Sequence, residues 1–262
     1  MQLNKKNKNM SENKRIGIAS FDSGRGNTMK IIFPKVEEDC LSKYYRFNPK
    51  SYKGSKYSKY LNKFYKDRES WNAICPKIEE GRSFESYLKI DGLNTQEEKD
   101  VFAINKLNND FFGIAIHHSG NGGLNTMKKI QNDHINGDNQ RADISYHFGV
   151  SLSGEVLEGR PIGIKGAHLT KYNTGIIGIV FLADFKHDWW DVDDDMSKEA
   201  LQSIITLIKA LKEQFPNIGT LGGHKEWKNN TDRTCPGEYG LDYIKALRKE
   251  LKLKSPKETG NG

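Results

Sequence analysis

Three short apolar runs set the strongest limit on how this 262-residue chain can fold. They cover residues 111–118, 144–152 and 176–183, and polar or glycine-containing segments separate them. Each run has the length and composition of a β-strand. Residues 197–215 instead carry apolar side chains at i, i+3, i+4 and i+7 spacing, which is typical of an amphipathic helix. Strands that alternate with helices predict a mixed α/β domain built around one sheet.

The helices have recognisable ends. Ser197 precedes the long periodic segment and can cap it, and Pro216 follows its last residue. Residues 124–135 and 241–251 are predicted as two further helices. We therefore expect a central mixed β-sheet flanked by helices, preceded by a smaller basic N-terminal unit.

The basic residues are unevenly distributed. The net charge is +7, and the first 107 residues hold 22 Lys and Arg against 14 Asp and Glu. From Cys40 to Lys66 the chain has basic residues and interleaved tyrosines but no acidic residue. Such a strip could bind an anionic surface or an acidic partner, although it could equally be a solvated surface whose tyrosines pack inward. We predict a tail at residues 1–14, a basic unit at 15–105, a catalytic domain at 106–252 and a disordered tail at 253–262.

The sequence also bears on the compartment. No apolar run approaches the ~20 residues that span a bilayer, and the polar N-terminus lacks the apolar stretch of a secretory signal. We therefore expect a monomer without a membrane span that is made in the cytoplasm. Three cysteines are too few for a disulfide framework in a chain of this length, so Cys40 and Cys75 are predicted to be buried thiols.

Candidate metal ligands lie at three places. His117 and His118 end the first apolar run, His224 follows two glycines, and Cys235 precedes Pro236-Gly237. Catalytic zinc takes three protein ligands and leaves a fourth position open for water. Because successive residues of a strand face opposite sides, only one of the two adjacent histidines can face such a site.

Taken together, these segments resemble the type 2 N-acetylmuramoyl-L-alanine amidases. That superfamily includes animal peptidoglycan recognition proteins and the small amidase-type lysozymes of phages. The resemblance covers roughly residues 108–252, and the segments that carry it occur in the family's order: Ile-Ala-Ile-His-His-Ser (114–119), Asp-Ile-Ser-Tyr-His-Phe (143–148), Gly-Glu-Val-Leu-Glu-Gly-Arg (154–160), Gly-Ala-His (166–168), Tyr-Asn-Thr-Gly-Ile-Ile-Gly-Ile (172–179), Gly-His-Lys-Glu (223–226) and Thr-Cys-Pro-Gly (234–237).

The resemblance implies a metal site and a catalytic residue. His117, His224 and Cys235 match the family's zinc ligands, which implies one Zn²⁺ per chain. Tyr146 matches the family's catalytic tyrosine, and a phenol beside a metal can orient water or donate to an oxyanion.

The same segments contain further candidates for catalysis and substrate binding. Arg233 stands where the phage enzymes carry a lysine, and it cannot act as a base because arginine stays protonated. We expect it to stabilise the oxyanion or to hold a carboxylate of the stem peptide. Glu226 is a candidate proton carrier, with a bond to His224 as the alternative. The predicted substrate contacts are His168, Asn173 and Arg160.

The implied activity is hydrolysis of the bond between N-acetylmuramic acid and L-alanine in peptidoglycan. A non-catalytic peptidoglycan receptor on the same fold is the alternative, and a nucleic-acid-binding protein is disfavoured because no such motif is present. An enzyme of this kind without a secretory signal fits a phage endolysin that a holin releases. It also fits an antibacterial effector of a type VI secretion system, with an immunity protein and the secretion apparatus as partners, and we favour the effector slightly. Both would act on periplasmic or cell-wall peptidoglycan.

Overall fold

The computed structural model describes residues 18–22, 28–32, 45–47, 49, 56–76, 106–120, 126–138, 140–186 and 195–262. The chain forms two compact units, Met1–Ser42 and Lys43–Gly262. Within the first unit, β1 (Ile18–Asp22) and β2 (Thr28–Ile32) form an antiparallel pair. The predicted tail at residues 1–14 lies outside the described residues.

The second unit contains a six-stranded mixed sheet. Its strands are β3 (Tyr65–Lys66), β4 (Gly113–His118), β5 (Phe148–Ser151), β6 (Val156–Glu158), β7 (Ile176–Leu182) and β8 (Thr220–Gly223). Their spatial order is β3-β6-β5-β7-β4-β8. β4 runs parallel to both of its neighbours, and the only antiparallel pair in this sheet, among the residues described, is β5 with β6. The predicted fold class, a mixed sheet flanked by helices, is confirmed.

Four α-helices complete the described part of this unit: α1 (Ser58–Phe64), α2 (Met127–Asn136), α3 (Lys198–Gln214) and α4 (Glu238–Leu251). The Ser197 side chain accepts a hydrogen bond from the Ala200 amide, which confirms the predicted cap. Thr126 caps α2 in the same way through the Lys129 amide. Within the described residues, none of the helices combines the length and the apolarity needed to span a membrane.

The two faces of β4 have different environments. Ile114 and Ile116 lie in the main apolar core, together with buried side chains of α3 and α4. Because side chains alternate along a strand, His117 belongs to the opposite face. Its partner in the register with β7 is Val180, which packs against Met127 and Ile130 of α2. The fold thus places His117 on the face that α2 covers.

The predicted boundary near residue 105 is corrected by the structure, in which the compact unit begins at Lys43. Tyr45 and Phe47 are buried in the same core as the sheet. Arg68 is 2% exposed and grips Asp143 through two nitrogens, at 2.9 and 3.1 Å. Charge patterning alone suggested a separate unit because it cannot reveal that an arginine is buried against a distant segment of the same unit.

The predicted disordered tail at residues 253–262 is also corrected. Lys257–Thr259 form a short 3₁₀ turn. Leu221 donates its amide proton to the Lys254 carbonyl, and Tyr172 donates its hydroxyl proton to Asn261 Oδ1. The last ten residues therefore add to the edge of the sheet beyond β8. The polar sequence hid this, because most of the contacts use backbone groups.

Two predictions for the N-terminal part have different outcomes. Cys75 is disulfide-bonded rather than a buried thiol, whereas Cys40 lies outside the described residues. In the basic strip, Tyr45 is buried and Tyr65 donates its hydroxyl proton to the Phe47 carbonyl. These two tyrosines therefore pack inward, and binding of the strip to an anionic partner stays a prediction.

We expect Arg68→Ala to destabilise the folded protein by about 3–5 kcal/mol, because it leaves the Asp143 carboxylate buried without its cation. Urea unfolding followed by circular dichroism measures this change. The matched control is Lys129→Ala, which breaks an exposed pair with Asp133 and should cost no more than about 0.5 kcal/mol. For the same reason, a fragment that starts at residue 108 should not fold stably. Equal stabilities of Arg68→Ala and Lys129→Ala would refute this account of the unit.

Candidate metal centre

Three side chains converge at the end of β4. They are His117, His224 and Cys235, whose candidate ligand atoms all lie within 4.8 Å of one another. Cys235 Sγ is 3.8 Å from His117 Nδ1. No other group of three His, Cys, Asp or Glu side chains in the described part of the chain is arranged in this way. The structure thus brings together the three residues that the sequence nominated as metal ligands.

The strand geometry selects between the two adjacent histidines. His117 is fully buried on the α2 side of β4. His118 points the other way, where its Nδ1 accepts the Phe185 amide proton at 3.1 Å and lies 3.3 Å from an Asp184 oxygen. This supports the expectation that only the first histidine faces the site.

The other two ligands are carried by the segment after β8. His224 begins a single 3₁₀ turn, His224–Glu226, directly after the strand ends. Cys235 lies in the next loop, and its carbonyl accepts the amide proton of Lys225 at 3.2 Å. Because β8 pairs with β4 in parallel, both strands end at the same edge of the sheet. That shared edge is why residues so distant in sequence meet.

The spacing of these groups fits a zinc ion. Zinc bonds of about 2.3 Å to sulfur and 2.1 Å to nitrogen, at a tetrahedral angle, separate the two ligand atoms by about 3.6 Å. The observed separation between Cys235 Sγ and His117 Nδ1 is 3.8 Å. Two imidazoles and one thiol also form a donor set that suits zinc and leaves one coordination position open.

Burial determines the protonation states of the three candidate ligands. Burial lowers the pKa of His117 well below its usual value, and the neighbouring histidines lower it further. Burial also lowers the pKa of His224, to about 4. Both imidazoles are therefore neutral at pH 7 and can donate lone pairs. Burial raises the pKa of the Cys235 thiol to about 12, so the proton must leave when a cation binds.

Tyr146 lies beside the cluster. Its ring centre is 4.9 Å from that of His117 and 5.6 Å from that of His134. Burial raises the pKa of Tyr146 above its usual value, a Cys235 thiolate raises it further, and the cation of Arg141 opposes this shift. The phenol therefore keeps its proton at neutral pH and can act as a hydrogen-bond donor.

Arg233 lies at the rim of this region. Its side chain is 51% exposed, and it contacts Thr170 Oγ1 at 3.4 Å and Asp232 at 3.8 Å. An exposed guanidinium can contact a substrate, so the predicted role of Arg233 stays a prediction.

Arg141 is a cation that the sequence analysis did not single out. It is partly buried and donates to Ser145 Oγ at 2.6 Å, one residue before Tyr146.

Glu226 does not have the predicted role of a proton carrier. Its Oε2 accepts the Gly223 amide proton and an Arg248 proton, each at 2.8 Å. The alternative, a bond to His224, is not observed either, since His224 Nε2 meets Asn230 Oδ1 at 3.1 Å. The carboxylate caps the turn after β8, a role that follows from its position three residues after Gly223.

Two of the three predicted substrate contacts are buried in the structure. Arg160 is 4% exposed and donates to the carbonyls of Ile144, Lys165 and Asp143. His168 is 5% exposed and faces His117, at 3.0 Å. The Asn173 side chain accepts the amide protons of His168 and Leu169, each at 2.8 Å. Because Arg160 and His168 are buried and hydrogen-bonded inside the protein, they support the site, whereas contact of the half-buried Asn173 with a substrate stays a prediction.

The buried histidines predict an acid-labile fold. Burial lowers the pKa of His134 and of His147 to about 4. Between pH 6.5 and 4 the unfolded chain binds protons that the folded protein excludes, so stability falls as pH falls. The slope should be up to about 1.4 kcal/mol per pH unit for each histidine. Urea unfolding of the metal-free protein, kept in a chelator, measures this slope between pH 7 and 4.5. An unfolding midpoint that does not change with pH would refute the prediction.

These observations define the class of the protein: an α/β domain in which two histidines and a cysteine that could hold a metal ion converge at one edge of a mixed sheet. A family described as N-acetylmuramoyl-L-alanine amidase matches residues 108–238, half of the chain. The chain belongs to this family.

Curated relatives and a solved structure agree with this assignment. A peptidoglycan-recognition protein of Drosophila simulans is 29% identical over 119 residues, which are 45% of this chain and 60% of that protein. Mouse peptidoglycan recognition protein 3 is 34% identical over 125 residues, 45% of this chain and 34% of that protein. The structure of wild-type Drosophila PGRP-LB covers 70% of this chain and 92% of its own, with 25% identity and a TM-score of 0.50. The chain therefore spans less than two thirds of the curated relatives' length.

Proposed function

We propose that this protein is a zinc-dependent amidase that hydrolyses the bond between N-acetylmuramic acid and the L-alanine of the stem peptide. One observation carries the proposal: His117, His224 and Cys235 form a three-ligand centre with Tyr146 beside it. The family assignment supplies the bond type. A receptor needs only to hold peptidoglycan, whereas a thiol and two neutral imidazoles around an open position suit hydrolysis.

The metal ligands and Tyr146 have different roles in the proposed reaction. His117, His224 and Cys235 would hold a zinc ion, which would supply the Lewis acidity that polarises a carbonyl and makes water nucleophilic near neutral pH. Tyr146 keeps its proton, so it donates a hydrogen bond to the carbonyl oxygen as negative charge develops there. Its half-buried position limits the competition of water for that bond. The proton that the departing amine needs can come from the attacking water, so Tyr146 keeps its own proton throughout.

Two arginines give the rim of the centre a positive charge. Arg141 lies close enough to Tyr146 and Arg233 for each to affect the pKa of its guanidinium. Stem peptides carry free carboxylates, and a guanidinium binds a carboxylate through two parallel hydrogen bonds. We assign Arg233, the more exposed of the two, to substrate binding. Arg141 is assigned to the electrostatic environment of Tyr146.

The proposed site of action is the periplasm or cell wall, reached through a secretion apparatus or a holin. The disulfide at Cys75 supports this proposal, since disulfides persist in oxidising compartments and are rare in the cytosol. Both proposed roles, antibacterial effector and phage endolysin, require export of the protein from the cytosol.

Digestion of purified peptidoglycan tests the proposal. We expect the full chain with zinc to release new free L-alanine amino termini and no new reducing sugar ends, as measured by amino-terminal labelling and mass spectrometry. Cleavage between sugars or within the stem peptide would contradict the bond assignment. A protein that binds peptidoglycan and holds zinc but releases no peptide would instead be a receptor.

A further inference from the structure

His168 packs against His117 but is too far from His224 and Cys235 to share a metal ion with them. Its Nδ1 lies 3.0 Å from His117 Nε2, and the two rings are nearly perpendicular, at 84°. The Cys235 sulfur lies on the opposite side of the His117 ring, near Nδ1. His117 therefore uses its two nitrogens for different partners, one toward the centre and one toward His168.

This arrangement fixes the position of the protons. If Nδ1 of His117 binds a metal, its Nε2 must carry the ring proton. That N–H donates to His168 Nδ1, so the proton of His168 lies on Nε2. His168 Nε2 is 3.4 Å from the Ile176 carbonyl, which can accept it. Every donor in this chain of groups meets an acceptor, and the reverse arrangement would place a proton on Nδ1, toward Cys235.

Two glycines leave room for the His168 ring. A Cβ atom at Gly178 would overlap His168 Cδ2, and one at Gly166 would lie 2.5 Å from the same atom. Real Cβ atoms do not approach so closely, so larger residues at these positions would displace the ring. The backbone amide of His168 is held as well, by Asn173 Oδ1 at 2.8 Å. The two glycines therefore leave the space that the His168 ring occupies.

Asn230 holds the second histidine ligand in a similar way. It is fully buried, and its Oδ1 meets His224 Nε2 at 3.1 Å and the Thr170 amide at 2.8 Å. Its Nδ2 donates to the Lys228 carbonyl at 2.7 Å, which identifies Oδ1 as the acceptor. His224 therefore donates from Nε2 and keeps Nδ1 for a metal. The segment 168–173 contributes to the support of both ligands.

We propose that His168 and Asn230 are positioning residues that set the proton position and orientation of His117 and His224, and thereby the affinity for zinc. The inference rests on the metal centre of the proposed function, but not on the bond that is cut. Acceptors behind metal-bound histidines raise ligand basicity, and losing one costs roughly 10- to 100-fold in metal affinity.

Zinc titration against a chromophoric chelator tests the proposal on the full chain. His168→Phe and Asn230→Leu keep the approximate size but lose the acceptor, and each should weaken zinc binding by roughly 10- to 100-fold. His168→Gln and Asn230→Asp keep an acceptor oxygen and should stay closer to the wild type. His147→Phe is the matched control, since His147 is equally buried and its ring packs against that of His168, at 5.9 Å between centres, but the described hydrogen bonds of its side chain go to Ile164 and Gly178. Its zinc affinity should not change.

Zinc affinity in His168→Phe equal to that of the wild type would overturn the role of His168. Equal losses in His168→Phe and His168→Gln would also contradict it, because a retained acceptor oxygen would then make no difference to zinc affinity. A second measurement needs no variant: ¹H–¹⁵N spectra of the zinc-loaded wild type should show His117 and His224 protonated at Nε2. Protonation at Nδ1 would refute the inference. A wild type that binds zinc but cuts no peptidoglycan would refute only the proposed amidase function.

Discussion

Replacement of Cys235 by serine should reduce the zinc content from about one ion per chain to almost none. The thiolate is the only anionic ligand of the three, and a serine hydroxyl does not ionise near neutral pH. The two neutral imidazoles that remain cannot hold the ion firmly. Elemental analysis of the purified variant measures the loss, and peptidoglycan cleavage should fall below detection with it.

The neighbouring histidine provides the control for this experiment. His118→Gln changes a residue of the same strand whose side chain faces Asp184 and Phe185 instead of the metal centre. We expect this variant to keep its zinc, whereas His117→Gln should lose it. Zinc retained in Cys235→Ser, or lost equally in His118→Gln and His117→Gln, would show that the ion binds elsewhere.

Tyr146→Phe should lower the rate of peptidoglycan cleavage by about 10²-fold or more, because it removes one preorganised donor from the developing oxyanion. The ring stays in place beside His117 and His134, so folding and zinc content should change little. Since the hydroxyl acts mainly in the transition state, kcat should fall more than KM rises. Steady-state kinetics on a soluble muropeptide measures both constants.

Tyr172→Phe is the matched control, since that hydroxyl donates to Asn261 at 2.7 Å and takes no part in the proposed chemistry. Its rate should equal that of the wild type. A wild-type rate in Tyr146→Phe would remove the phenol from the mechanism and leave the metal to act with the arginines.

Much of the fold could be predicted because its signals are local. The amphipathic pattern of α3 and its Ser197 cap are visible in sequence, and the structure places the helix within one residue of the predicted start and end. The apolar run at residues 144–152 was predicted as one strand, but only Phe148–Ser151 form a strand in the structure. β5 begins at Phe148, whereas the residues before it form a segment that side chains hold in place. Apolar character alone does not distinguish these two cases.

The metal ligands were predictable for a different reason. Their residue types and order match a known family, and strand alternation separates His117 from His118. The support around them was not predictable. Asn230 and Arg68 lie in polar stretches without periodicity, and each becomes important only through a partner far away in the chain. Asp143, the partner of Arg68, is 75 residues away. Burial depends on such long-range contacts, so His168 and Arg160 resembled surface residues in the sequence.

The parallel pairing of β4 with β8 also determines when the centre can form during protein synthesis. His117 and Cys235 are separated by 118 residues, and the strand that carries the later ligands into place is the last of those that the structure describes. A nascent chain that is still short of residue 235 therefore holds at most two of the three ligands. Long-range pairing of this kind also forms late and slowly. Products of translation that stop before residue 235 should consequently lack the third ligand and bind zinc weakly.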